Sequence, residues 1–165
     1  MLKKIICGAV LSTAVLGSSW ALAADDARAS IHISANIPNK QFHVQPRDPD
    51  FGRNEIMHYD PVTQWLSRLR QTFDVKNTDG SVHAYILEGH RPLLTSANDS
   101  IELGVTFNNV RLRGTPLEVV DDATSTPGTQ AEMVIFADGM SENRAPGFYT
   151  GTFTVIFDAV PRTPI

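Results

Sequence analysis

Apolar and polar residues alternate with a period of two along most of this chain, the repeat of strands that bury one face. Ile31, Ile33, Ala35 and Ile37 alternate with His32, Ser34 and Asn36, and Pro38-Asn39 closes this first predicted strand. Gln41 to Gln45 predicts a second strand, with Phe42 and Val44 on one side, ending at the turn-forming run Pro46 to Gly52. Asp60-Pro61, with Val62, Trp65, Leu66 and Leu69 at helical spacing, leaves room only for a loop or a short helical turn. The run Leu69, Gln71, Phe73, Val75 then resumes period two. Asp79-Gly80 reads as a hairpin turn into a strand from Ser81 to Glu88.

Farther on, Ile101, Leu103, Val105 and Phe107 alternate, Asn108-Asn109 turns the chain, and Val110 and Leu112 return. Asp121 to Thr129 is expected to be a surface loop, Ala131 to Ala137 a strand, and Asp138 to Gly147 another loop. The last predicted strand is the longest. Tyr149, Gly151, Phe153, Val155 and Phe157 face one way, and Thr150, Thr152 and Thr154 the other. Gly151 either leaves room for a bulky neighbour or marks a bulge. The tail from Asp158 to Ile165 holds two prolines, which disfavour a central strand. Eight or so strands and no strong helix predict an all-β antiparallel sandwich of roughly immunoglobulin type.

One segment breaks the alternation. Met1-Leu2-Lys3-Lys4 is basic, Ile5 to Leu16 is an apolar run, and Ala21-Leu22-Ala23 has the small-x-small form of a cleavage site. This layout predicts a secretory leader over residues 1–23, too short and wrongly flanked to span a membrane. Its removal takes Lys3 and Lys4 and moves the formal charge from −4 to −6. An acidic chain without a Lys/Arg cluster argues against nucleic acid as a partner. Cys7, the only cysteine, lies inside the leader, so the exported product is expected to carry no disulfide.

Signals for chemistry are sparse. The chain has no Gly-x-Ser-x-Gly elbow, no phosphate-binding glycine loop and no His-Glu-x-x-His. His32, His43, His58, His83 and His90 lack metal-ligand spacing, so neither a metal nor a cofactor is expected. Asp48, Asp50, Asn54 and Glu55 fit a plain turn better than a calcium loop, because glycine and distal glutamate are out of register. Trp65 is read as a partly buried core residue in preference to a sugar-stacking platform. These readings leave room for a secreted binding module, lectin-like or a tip adhesin, kept as the alternative reading. A small histidine-dependent enzyme ranks last.

Several segments, in order, carry a family resemblance. They are Ala29 to Pro38 followed by Phe42-His43-Val44, then Phe73 to Gly80, then the Ile101–Leu112 hairpin, and finally Pro146 to Val155 with its Gly-x-Tyr-x-Gly core. In this order the chain resembles the major subunits of CFA/I-like fimbriae, the coli surface antigen type of the alternate-chaperone class. The resemblance implies a structural pilin with no enzymatic activity. Its fold would be an incomplete immunoglobulin-like sandwich, completed by a donor strand from the next identical subunit. Residues 1–23 would be the leader, 24–38 the donor segment and 39–165 the pilin body. Ile31, Ile33, Ala35 and Ile37 would fill a groove edged by Tyr149, Gly151, Phe153, Val155 and Phe157, with Pro38 as the hinge between subunits. The implied partners are identical subunits, a periplasmic chaperone, an outer-membrane usher and, at a distance, a tip adhesin and host receptor. The implied route runs through the periplasm to a cell-surface fimbrium.

Overall fold

The computed structural model describes residues 41–87, 89, 91–140 and 144–163. The expected leader, the Ile31–Ile37 strand and the Pro38 hinge lie outside these residues. Within them the chain forms β1 (Phe42–Pro46), β2 (Tyr59–Asp60), β3 (Trp65–Leu66), β4 (Leu69–Asn77), β5 (Gly80–Ile86) and β6 (Leu93–Thr95). These are followed by β7 (Ser100–Phe107), β8 (Val110–Arg111), β9 (Leu117–Val120), the one-turn helix α1 (Asp122–Ser125), β10 (Thr129–Ala137) and β11 (Val155–Pro161). One antiparallel sheet has the order β1-β4-β10-β7-β6, with β8 also on β7, and a second has the order β11-β5-β9.

The alternation explains the core between the sheets. Phe73 and Val75 of β4, Val82, Ala84 and Ile86 of β5, and Leu103, Val105 and Phe107 of β7 are buried together with Ala131, Met133 and Ile135 of β10. Phe73, Phe107 and Phe157 meet at ring-centroid distances of 5.4 Å, 4.8 Å and 6.1 Å, joining both sheets through their aromatic faces and edges.

The register gives the sandwich two ends. Asn77, Gly80, Thr129 and Pro161 lie at the base, where Asn77 pairs with Phe42 and Gly80 with Pro161. Leu69, Ile86, Ala137 and Val155 lie at the crown, where Leu69 pairs with Ile135 and Val155 with Ile86.

Several sequence expectations change in the structure. Asp79-Gly80 turns the chain but makes no hairpin, because β4 and β5 belong to different sheets. Buried Asn77 shapes this arch: its side chain donates to the Ser81 carbonyl (2.7 Å) and accepts from the Asp79 N–H (3.2 Å). A Cβ on Gly80 would overlap the Val160 carbonyl oxygen, so glycine is needed there for close backbone approach. The expected 121–129 loop contains α1, whose cap Asp121 accepts from the Thr124 N–H at 2.8 Å. The Ser125 hydroxyl, fully buried, donates to the Gly80 carbonyl at 2.6 Å. The 59–66 stretch is a two-stranded hairpin, turned where Asp60 accepts from the Val62 N–H (2.8 Å). Finally, β11 is shorter than β4 and β10 and starts later than predicted, yet it runs through Asp158–Pro161 of the expected tail.

The Asn108-Asn109 turn forms as read, with both residues at positive φ (49° and 65°), the geometry that matches strand twist in a two-residue hairpin. Trp65 stands on exposed β3 instead of in the core.

Candidate functional site: an open edge beside β11

Hydrogen bonds tie β11 to β5 at both ends, from Leu87 N–H to Thr154 C=O (3.0 Å) and from Arg162 N–H to Asp79 C=O (2.8 Å). In an antiparallel ladder alternate residues point their backbone groups at the same neighbour. Thr154, Ile156, Asp158, Val160 and Arg162 therefore face β5. Val155, Phe157, Ala159 and Pro161 turn theirs to the opposite edge, with which no strand of the described residues pairs. Pro161 has no N–H to offer there, so it ends the open edge without disturbing the ladder to β5.

The side of the sandwich is set by its neighbours. β9 lies near β8, where the Asn108 side chain donates to the Val119 carbonyl at 2.6 Å. Across β5 from β9, the Phe157 ring reaches Phe73 of β4, the strand that pairs with β1. The free edge of β11 thus opens toward β1, itself an edge strand. Along this seam Phe42 and Val44 of β1 and Phe153, Val155 and Phe157 pack on the core but remain only half-buried. An unpaired backbone row and half-buried apolar side chains together form the surface that another strand can complete.

The residues expected to edge a groove separate into two groups. Val155 and Phe157 lie on β11 and Phe153 packs on the core just before it. Tyr149 and Gly151 belong instead to a strap that crosses the crown from one sheet to the other. Thr150 exchanges both backbone hydrogen bonds with Thr95 of β6 (2.8 and 3.0 Å), and Thr154 then meets Leu87. At the crossing a Cβ on Gly151 would overlap the Leu93 carbonyl oxygen, so β6 fills the space beside this glycine. The prediction of one continuous strand over 149–157 misses this change of sheet, because alternation continues through it.

A polar clasp that periodicity does not reveal holds the strap. Asp99 accepts from the Tyr149 hydroxyl (2.9 Å), the Arg144 guanidinium (2.9 Å), the Ala145 N–H (3.3 Å) and the Ser100 N–H (2.7 Å). The Tyr149 hydroxyl also lies 2.7 Å from the Ala145 carbonyl. The Tyr149 bond, then the two backbone N–H groups and Arg144, hold the Asp99 carboxyl below its ordinary pKa, while burial and the hydrogen bond to Asp99 push the Tyr149 phenol up. A depressed carboxyl contributes stability above its unfolded value and loses it as pH falls through the folded one. The clasp is therefore expected to persist through mild acid and to release only below the usual carboxylate range. In Tyr149→Phe the Asp99 carboxyl should titrate at higher pH than in the wild type, as followed by NMR. An unchanged titration would show that this hydroxyl does not hold it.

Among the described residues no group of three potential metal ligands assembles. His43 and His83 lie on separate sheets and His58 lies before β2, while His32 and His90 are outside the described residues.

Comparison with known proteins completes the picture. The family model for the CS1 type fimbrial major subunit matches residues 27–158. Among solved structures, the chain is similar to the CooA pilin subunit from enterotoxigenic Escherichia coli. The two share 16% identity and a TM-score of 0.57, over 73% of this chain and 90% of that one. No curated protein matches the chain.

Proposed function

This chain belongs to the family of CS1 type fimbrial major subunits, and from that premise we propose that it polymerises by lending its N-terminal strand to the open edge of the next subunit. It is a structural pilin of a cell-surface fimbrium, assembled from copies of itself. The observation that carries the mechanism is the edge of β11 that no strand of the described residues covers, with the half-buried seam beside it. Ile31 to Ile37 has the matching form: seven residues, four of them apolar at period two, against the seven of β11.

The direction of the inserted strand follows from where the donor leaves its own body. β1 begins at the base, where Phe42 pairs with Asn77 and the Gln41 carbonyl accepts from Thr78 N–H (2.8 Å), so the preceding segment departs from that end. In a head-to-tail polymer the base of the donor faces the crown of the acceptor. Ile37 then lies near Val155 and Ile31 near Pro161, antiparallel to β11. Pro38, with its fixed φ, stands at the joint and sets the bend between subunits.

Burial of each isoleucine contributes roughly 1.5–3 kcal/mol and each ladder hydrogen bond about 1 kcal/mol net. Their sum, on the order of 10 kcal/mol before ordering costs, suits a permanent joint. An unfilled edge is an aggregation hazard, so a periplasmic chaperone that covers it, and an outer-membrane usher that exchanges chaperone for donor, complete the route. Negative-stain microscopy of cells expressing the chain with such an assembly pair tests the reading. Regular filaments are expected, and Pro38→Ala should alter their curvature or compliance. Exported subunits that stay monomeric would overturn polymerisation, and unchanged Pro38→Ala filaments would remove the hinge.

A further inference from the structure

The exposed large apolar side chains of the described residues all stand at one end of the sandwich. Ile56, Tyr59, Val62 and Trp65 lie on and beside the β2–β3 hairpin, which leads directly into the crown end of β4, and Val62 is 89% exposed. Leu87 follows the crown end of β5, and Leu93 opens β6 beside Glu102 of β7. Phe148, 86% exposed, precedes the strap residue Tyr149. At the base the exposed residues are polar or small, Asp79, Ala123, Thr124 and Pro127 among them. Seven scattered apolar residues would need no explanation; seven gathered at one end mark an interaction surface.

Specific charges stand at both ends. At the crown Arg91 pairs with Glu102, Arg111 with Asp138 and Arg144 with Asp99. Arg113, exposed on the rim of a cleft of about 350 Å³ lined also by Gly89, Gly104 and Gly114, has no carboxylate partner among the described residues. At the base Arg162 pairs with Asp122 and its charge also acts on Asp79, while Asp121 has no basic partner among the described residues. Charges of both signs without an ion-pair partner among the described residues stand at each end, Arg68, Arg113, Glu55 and Asp60 toward the crown and Lys76 and Asp121 at the base, so it is the apolar surface that distinguishes the two ends.

We infer that the crown is a second docking surface, which seats the base of the adjoining copy through the 79–80 arch and the α1 turn. The inference rests on the head-to-tail assembly proposed above, because only that arrangement brings the two unlike ends together at every joint. The hairpin and Leu87 exclude water around the inserted strand, Arg113 meets the base carboxylates, and the joint gains a fixed angle that a single strand could not give it.

Thiol cross-linking of assembled filaments tests this, since the chain's only cysteine, Cys7, lies in the expected leader. Val62→Cys and Leu87→Cys are each combined with Ala123→Cys, treated with a bifunctional thiol reagent, and boiled in detergent to separate joints held by the strand alone. Covalent ladders are expected from the paired variants and monomers from each single one. Filaments that form normally yet give no ladder from either pair would overturn the inference, as would a ladder from Val62→Cys alone, which reports crown against crown. Separately, Arg113→Glu should cut filament yield several-fold, and Asp79→Lys in the same chain should restore it, because each joint then carries the swapped pair. No loss in the first variant, or no recovery in the second, would also count against it. If the wild type forms no filament at all, the assembly reading itself has failed, and the two failures are told apart.

Discussion

Ile33→Lys is expected to abolish filaments while the precursor is still exported, with the subunit held by its chaperone or degraded. Ile33 is the second of four apolar residues in the proposed donor strand. In the register proposed above it lies opposite Ala159, with the half-buried Phe157 diagonal to it, and the one acid of β11, Asp158, alternates to the outer face, away from the core side on which Phe157 packs. A lysine there forfeits roughly 1.5–3 kcal/mol of burial and adds the desolvation of an unpaired ammonium, which costs several kcal/mol more. Together these remove about half or more of the attraction that joins two subunits. Electron microscopy of the cell surface and immunoblots of periplasmic fractions read the result. Normal filaments from this variant would show that Ile33 does not enter the groove.

The second large effect is on the body itself. Phe107 is fully buried and touches both Phe73 and Phe157, so it supports the floor of the open seam as well as the joint between the sheets. Phe107→Ala should cost about 3–5 kcal/mol, from lost transfer energy and the cavity left behind. That is a large share of the roughly 5–15 kcal/mol available to a domain. Urea unfolding of a chain complemented by its own donor segment fused after Ile165 measures it. The midpoint should fall sharply with little change in slope. A loss below about 1 kcal/mol would mean that the cluster repacks around the cavity.

How far the sequence could be read follows from what alternation encodes. Period two places Phe73, Val75, Leu103, Val105 and Phe107 inward, and all five are buried. It says nothing about which sheet a strand joins. Asp79-Gly80 therefore reads as a hairpin although it bridges two sheets, and Tyr149–Phe157 reads as one strand although it changes partner at Gly151. Both errors occur where the backbones come so close that only glycine fits, and a strand glycine carries that meaning ambiguously. The polar contacts were beyond reach for another reason. Ser125 and Asp99 lie in segments without periodicity, and their partners Gly80 and Tyr149 are 45 and 50 residues away. Pro161 is the instructive intermediate. Its chemistry correctly forbids a central strand, yet an edge strand can include it when the missing N–H faces outward. The open edge itself is visible only once the pairing of β11 is known, whereas the family resemblance carried by the Ala29–Pro38 and Pro146–Val155 segments pointed to it from the sequence.

The central claim is that the body is short of one strand, and unfolding of the chain trimmed of residues 24–37 tests it most directly. Circular dichroism and urea titration are followed with and without a synthetic peptide spanning Ala24 to Pro38. The account predicts a weakly cooperative, aggregation-prone chain alone, and a sharp transition at much higher urea once the peptide is bound. A trimmed chain that unfolds cooperatively without the peptide, and still assembles into fibres, would contradict it.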